Sequence, residues 1–299
     1  MEVRLALFAG VIPGFVTLVL LTWIWRRAAR RQVEGPITGG LWAVPLIVGG
    51  AFLAGDWVVN GRPQFWPDSN NYRYVHAIGL IALLGVLDAL VRLPAWALFI
   101  ARACTLSGVG LMLTEGYAPQ SIAWHDLAGW LALLGVGGAS VLGFADRGAR
   151  ELPAYATAGT LAAGGVVALP ALFLIGSAYG AQVGAAFVAV ATAAGVAGLI
   201  VRRATLPRGT VTMIGGGLLG LLIGAGVQWE VASVPATVLL GLTPLALGAA
   251  GVIARGRGLA GLLLGVSLAL LIAGGSAGLS YWADPPGEDD GGSAADYGY

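Results

Sequence analysis

Residues 74–114 read YVHAIGLIALLGVLDALVRLPAWALFIARACTLSGVGLMLT. Two apolar runs flank the turn Arg92-Leu93-Pro94. At about 1.5 Å per residue, each run is close to the length needed to cross a hydrocarbon core of roughly 30 Å. The proline has no N–H to donate and bars its predecessor from helical backbone, so the chain must turn there. The stretch predicts a pair of antiparallel membrane helices, 74–91 and 94–114. It also carries His76, Asp88, Arg92, Arg102 and Cys104, polar groups that an apolar run must either place or neutralise.

Composition extends this reading to the whole chain. With 58% hydrophobic residues, 10% charged residues and a mean hydropathy of +0.84, 299 residues cannot be covered by a water-soluble surface. The fold class is all-α, a polytopic integral membrane helical bundle. A net charge of +1 leaves no basic excess to attract nucleic acid, so the expected surroundings are a lipid bilayer and other membrane subunits. Cys104 has no second cysteine to pair with and is expected as a small core residue.

Toward the amino terminus, residues 55–73 are polar, aromatic and proline-bearing and predict the longest loop. Before it lies span two, 38–53, with Pro45 expected to kink it, and then span one, 5–25. Arg26, Arg27, Arg30 and Arg31 follow span one rather than precede it, the reverse of a secretory signal, which predicts an uncleaved anchor. Toward the carboxyl terminus come a loop at 115–124, span five at 125–144 and a charged turn holding Asp146, Arg147, Arg150 and Glu151. Spans at 154–178, 182–201, 210–227, 231–254 and 259–279 complete about ten. The tail, 284–299, carries Pro285, Pro286 and the acids Glu288, Asp289 and Asp290, a composition expected to stay disordered.

The arginines set the expected orientation. Alternate connections hold Arg26 to Arg31, then Arg92, then Arg147 and Arg150, then Arg202, Arg203 and Arg208, then Arg255 and Arg257. Loops rich in Lys or Arg stay in the cytoplasm, so both termini are predicted outside a bacterial inner membrane. Trp57, Trp66, Trp124, Trp229, Trp282, Tyr74 and Tyr179 should mark the outer interface, and Trp23, Trp25, Trp42 and Trp96 the inner one.

Small residues four apart recur after residue 154: Gly176, Gly180 and Gly184, then Gly216, Gly220 and Gly224, then Gly261 and Gly265, then Gly274 and Gly278. Such spacing lets helix backbones approach, either within one bundle or between copies of it. The candidate site residues lie earlier. Asp88 and Arg92 are spaced for an ion pair on one helix, while Arg102 lies within span four, where an unpaired charge is costly. Arg102 is expected to pair with Asp88 across the turn, either as a structural pair or along a solute path. His76 and His125 begin spans three and five at similar depth, a placement that would allow axial ligation of a haem b or a shared metal; unligated interfacial histidines are the plainer reading.

The run Gly61-Arg62-Pro63-Gln64-Phe65-Trp66-Pro67-Asp68, leading into a span that ends Leu87-Asp88-Ala89-Leu90, resembles uncharacterised polytopic membrane proteins of planctomycete-type genomes. The span Gly176-Ser177-Ala178-Tyr179-Gly180-Ala181-Gln182-Val183-Gly184 is similar to the corresponding span there. The resemblance implies a multi-pass fold and brings no activity, cofactor or catalytic residue. The span count is also similar to that of drug/metabolite transporters built from two inverted five-span repeats, but those place both termini inside. No Ser-His-Asp grouping, phosphate loop or zinc-ligand spacing is present, which argues against an enzyme. The expected function is a non-enzymatic scaffold or complex subunit; the alternatives are a small-solute transporter using Asp88 and Arg102, or a haem-b electron-transfer protein using His76 and His125.

Overall fold

The computed structural model describes residues 2–32, 36–37, 42–61, 73–91, 93–114, 124–174, 178–206, 208–228 and 234–283. These residues form eleven helices: α1 (Glu2–Arg31), α2 (Ala43–Asn60), α3 (Tyr74–Leu90), α4 (Ala95–Thr114), α5 (Trp124–Glu151), α6 (Ala154–Leu174), α7 (Ala178–Ile200), α8 (Arg208–Gln228), α9 (Val234–Gly241), α10 (Leu245–Ala254) and α11 (Gly258–Ala283). The one β contact among them is an isolated parallel bridge between Ile37 and Ala204. Among the described residues, four stretches are long and apolar enough to cross a membrane: Gly10–Arg31, Ala95–Thr114, His125–Glu151 and Gly258–Leu279. The outward face is apolar as well, with Phe15, Leu83, Leu133, Leu263 and Leu271 all exposed. In water such a surface would aggregate.

Several boundaries differ from the sequence reading, each for a local reason. α2 begins at Ala43 and runs on to Asn60, so Asp56 and Trp57 are helical rather than in the long loop. Pro45 then falls in the first turn of α2, where its missing N–H has no partner to lose, and no kink is needed. α5 continues through the charged segment to Glu151, because Asp146 and Arg150 lie one turn apart and pair along the helix. The span expected at 231–254 is two helices. Pro244 removes a backbone donor, and the Thr243 hydroxyl donates to the Leu240 carbonyl at 2.6 Å, closing α9 before α10 starts.

Three side chains also fall elsewhere than expected. Tyr74 is buried in the first turn of α3 rather than at the outer interface, because it lies on the face that α3 buries with Ala77, Ile78 and Ile81. Trp25 is buried against the bundle rather than at an interface, because α1 turns its Leu21–Trp25 side inward. Cys104 is exposed, since the face α4 buries carries Leu98, Arg102, Leu106, Val109 and Leu113, and Cys104 points away from it. Trp66 and Trp229, Arg92, Gly176 and the tail 284–299 lie outside the described residues.

α8 is the centre of the bundle. Residues 209–219 are buried without interruption, with α3, α4, α5 and α7 packed around them. Glycine allows the closest approaches. A Cβ on Gly85 of α3 would lie 2.7 Å from the carbonyl oxygen of Gly209 of α8, and one on Gly209 would overlap the Gly85 backbone. Gly148 of α5 and Gly251 of α10 meet backbone to backbone in the same way. Of the glycines singled out by spacing, Gly216 faces the Ile81 side chain, Gly261 faces Leu152 and Gly265 faces Thr160. Among the described residues, a Cβ on Gly274 or Gly278 would meet nothing within 4 Å. Gly180 and Gly184 lie in α7, and Gly220 and Gly224 in α8.

The arginine-bearing connections are tied together at one end of the bundle. Ile37 N–H, in the connection after α1, donates to the Arg203 carbonyl, and Ala154 N–H donates to the Ala204 carbonyl. Gly256 N–H, in the connection before α11, donates to the Glu151 carbonyl. Arg208 reaches Asp88, at the last turn of α3. Each helix pair between these connections therefore leaves this end and returns to it.

Candidate functional site: a buried charge cluster joining four helices

The site grows from the close approach of α3 and α8. Gly85 and Gly209 bring the two backbones together, and one turn further along each helix stand Asp88 and Thr212. Asp88 shares the buried face of α3 with Ile81, Leu84 and Gly85. α4 contributes Arg102 from the same face as Leu98 and Leu106. α5 contributes Asp146, one turn beyond the buried Leu142. The approach of α5 to α4 again depends on glycine, since a Cβ on Gly135 would lie 2.7 Å from the Ala103 carbonyl oxygen.

Arg102 is the hub. Its Nε and Nη2 donate to the Thr212 hydroxyl oxygen at 3.1 and 2.8 Å. Nη2 also stands 3.5 Å from Asp88 Oδ2 and 3.6 Å from Asp146 Oδ2. Asp146 Oδ2 accepts a second, shorter bond of 2.6 Å from Arg150 Nη2, and Arg208 Nε lies 4.0 Å from Asp88 Oδ1. Arg102, Asp88 and Asp146 are all buried, whereas the Arg150 and Arg208 side chains are 48% and 33% exposed. The cluster is thus dry at its centre and wet at its rim. Arg150 also lines an open bowl of about 340 Å³ with Glu151, Arg202 and Arg203.

The structure brings Asp88 and Arg102 together, and it adds three partners that sequence spacing did not indicate: Thr212, Asp146 and Arg208. A signal for one of them was present, because an acid and a base four residues apart in a span-ending segment fit a continuing helix as well as a turn. Thr212 has no such signal; a threonine in an apolar run is unremarkable until the fold places it.

The chemistry open to this arrangement is narrow. A guanidinium does not give up its proton, so Arg102 serves as a fixed charge and donor. Asp88 Oδ1 and Asp146 Oδ1 have no hydrogen-bond partner. Among the described residues they are the carboxylate oxygens of the cluster left with acceptor capacity. The histidines stand apart from it. His76 is half-buried in the first turn of α3, and His125 is 84% exposed at the start of α5, its Nε2 3.5 Å from Asp126 Oδ1. Among the described residues no group of three or more His, Cys, Asp or Glu is arranged to hold a metal ion. The chain matches no known family model and none of the curated proteins.

Proposed function

We propose that the chain is a ten-pass protein of a bacterial inner membrane, with both termini outside, acting as a non-catalytic scaffold or as a subunit of a membrane complex. The serpentine order supports the count, because helix pairs leave and rejoin the arginine-rich end, with α9 and α10 together making one crossing. That end is cytoplasmic on the positive-inside rule. The planctomycete-type resemblance is consistent with such a protein and adds no role to it.

The observation that carries the scaffold reading is the engagement of Arg102 by groups of the protein itself. Its Nε and Nη2 are engaged by Thr212, Asp88 and Asp146, all from the protein itself, and it joins α3, α4, α5 and α8. Neither the bowl beside Arg150 nor the groove along α1 is lined by Asp88 or Arg102. A charge used in this way locks helices rather than greeting a solute.

One observation favours a transporter instead: two buried carboxylate oxygens that accept no hydrogen bond, set next to partly exposed arginines. The same preparation separates the two readings. Membranes solubilised in mild detergent and resolved under non-denaturing conditions should show the chain migrating with at least one other membrane protein. A lone chain whose solute uptake in liposomes is lost in Asp88→Asn at unchanged stability would overturn the scaffold reading. A haem-b role for His76 and His125 would require a stoichiometric Soret band.

A further inference from the structure

We propose that the groove between the cytoplasmic ends of α1 and α7 binds the headgroup of an anionic diacyl phospholipid. The groove encloses about 660 Å³ and is lined by Leu18, Val19, Thr22 and Trp23, then Arg26, Arg27 and Arg30, with Ile200 closing the far wall. These positions fall three or four apart on α1 and form one stripe, apolar toward mid-membrane and cationic at its end. The opposite stripe of α1 is occupied: Gly10 and Gly14 face Ala189 of α7, and Leu21 and Trp25 are buried.

Charge and shape point to one occupant. Among the described residues no carboxylate pairs with Arg26, Arg27 or Arg30, and no acidic residue lines the groove. Three cations gathered without a counter-charge at a membrane surface call for an anion there. The Arg27 guanidinium sits 5.5 Å from the centre of the Trp23 ring, which holds it at the level where headgroups lie. Beyond the groove lining, both helices also expose apolar side chains, Val16 on α1 and Val196 and Leu199 on α7. That gives acyl chains a surface continuous with the phosphate site. Arginines at a cytoplasmic helix end are expected from orientation alone; the two-helix groove with an unpaired triad is the further feature. The proposal rests on the membrane reading.

The test uses the full chain in nanodiscs of phosphatidylcholine containing a minor fraction of phosphatidylglycerol, with lipid retained after detergent exchange counted by native mass spectrometry. The wild type should retain phosphatidylglycerol selectively. Arg26→Gln/Arg27→Gln/Arg30→Gln should lose that retention roughly tenfold or more. Ile200→Trp, which fills the groove and leaves every charge in place, should lose it as well. Arg147→Gln/Arg202→Gln, on the same end of the bundle, should not. Unchanged retention in the triple variant, or loss there without loss in Ile200→Trp, overturns the groove, as does displacement by millimolar inorganic phosphate. Release of the chain from membranes by carbonate washing would instead defeat the membrane reading itself.

Discussion

Arg102 on α4 donates twice to the hydroxyl of Thr212 on α8, across 110 residues of sequence, at 3.1 and 2.8 Å. The hydroxyl fixes the plane of the guanidinium so that the same Nη2 can face both Asp88 and Asp146. Thr212→Val keeps the shape and removes the acceptor, leaving a buried charged donor unsatisfied. The expected loss is about 1–3 kcal/mol of stability. Thr212→Ser keeps the oxygen and should cost less than about 1 kcal/mol, the worth of one methyl. Thermal unfolding of both variants in detergent checks the difference, and equal losses would assign the effect to packing.

The two carboxylates make the cluster asymmetric to mutation. Arg102→Gln strands Asp88 beside Asp146 with their shared cation gone, at an expected cost of about 3–5 kcal/mol. Asp88→Asn should be milder, because Asp146 still faces Arg102. Adding Asp88→Asn to Arg102→Gln should recover part of the loss, since Asp146 retains Arg150 at 2.6 Å. Additive losses in the double variant would show that Asp88 and Arg102 are not coupled.

How much of this was legible in the sequence depended on the range of the interaction. Helix positions follow from apolar runs and prolines, which act locally, and the Asp88–Arg102 juxtaposition follows from two helices joined by a turn too short to separate them. Thr212 and Asp146 arrive from α8 and α5, whose placement beside α4 is set by packing rather than by spacing. The break at Thr243-Pro244 was local and readable from the proline, yet the apolar run around it conceals it. Trp25 and Cys104 show the remaining gap: an interface residue and a core residue have the same composition signal, and only the face each helix buries distinguishes them.

His125 is exposed and paired with its neighbour Asp126, and His76 lies in the first turn of α3. The purified protein is therefore expected to show no Soret band above background, with visible absorption as the measurement. A stoichiometric band lost in both His76→Ala and His125→Ala would revive the haem reading.

Glycine spacing and glycine contact agree at Gly216, Gly261 and Gly265 but make opposite forecasts at Gly209, Gly274 and Gly278. Gly209→Ala would drive a methyl into the Gly85 backbone, where no side chain can rotate away, so a severe loss of folded protein is expected. Gly278→Ala meets nothing within 4 Å among the described residues and removes backbone entropy from the unfolded chain, so it should be neutral or stabilising by up to about 1 kcal/mol. Gly274→Ala should behave in the same way. Yield and melting temperature of the three variants decide the matter; equal damage at Gly209 and Gly278 would mean that Gly278 faces a partner, such as a second copy of the chain.

Orientation can be read with single cysteines in a Cys104→Ala background, a replacement made necessary by the exposure of the native thiol on α4. The connection between α7 and α8 carries Arg202 and Arg203, leads into Arg208 at the start of α8, and accepts at the Ala204 carbonyl from the N–H of Ala154, the first residue of α6. A cysteine at Arg202, which is exposed, should be silent to an impermeant maleimide in intact cells and react once the membrane is opened. A cysteine in the segment 284–299 should react from outside without permeabilisation. Because the bonded connections share one end of the bundle, a second probe at Arg147 must report the same side as Arg202. External labelling of both would invert the topology while leaving the serpentine intact, whereas labelling of one alone would break the ten-pass order.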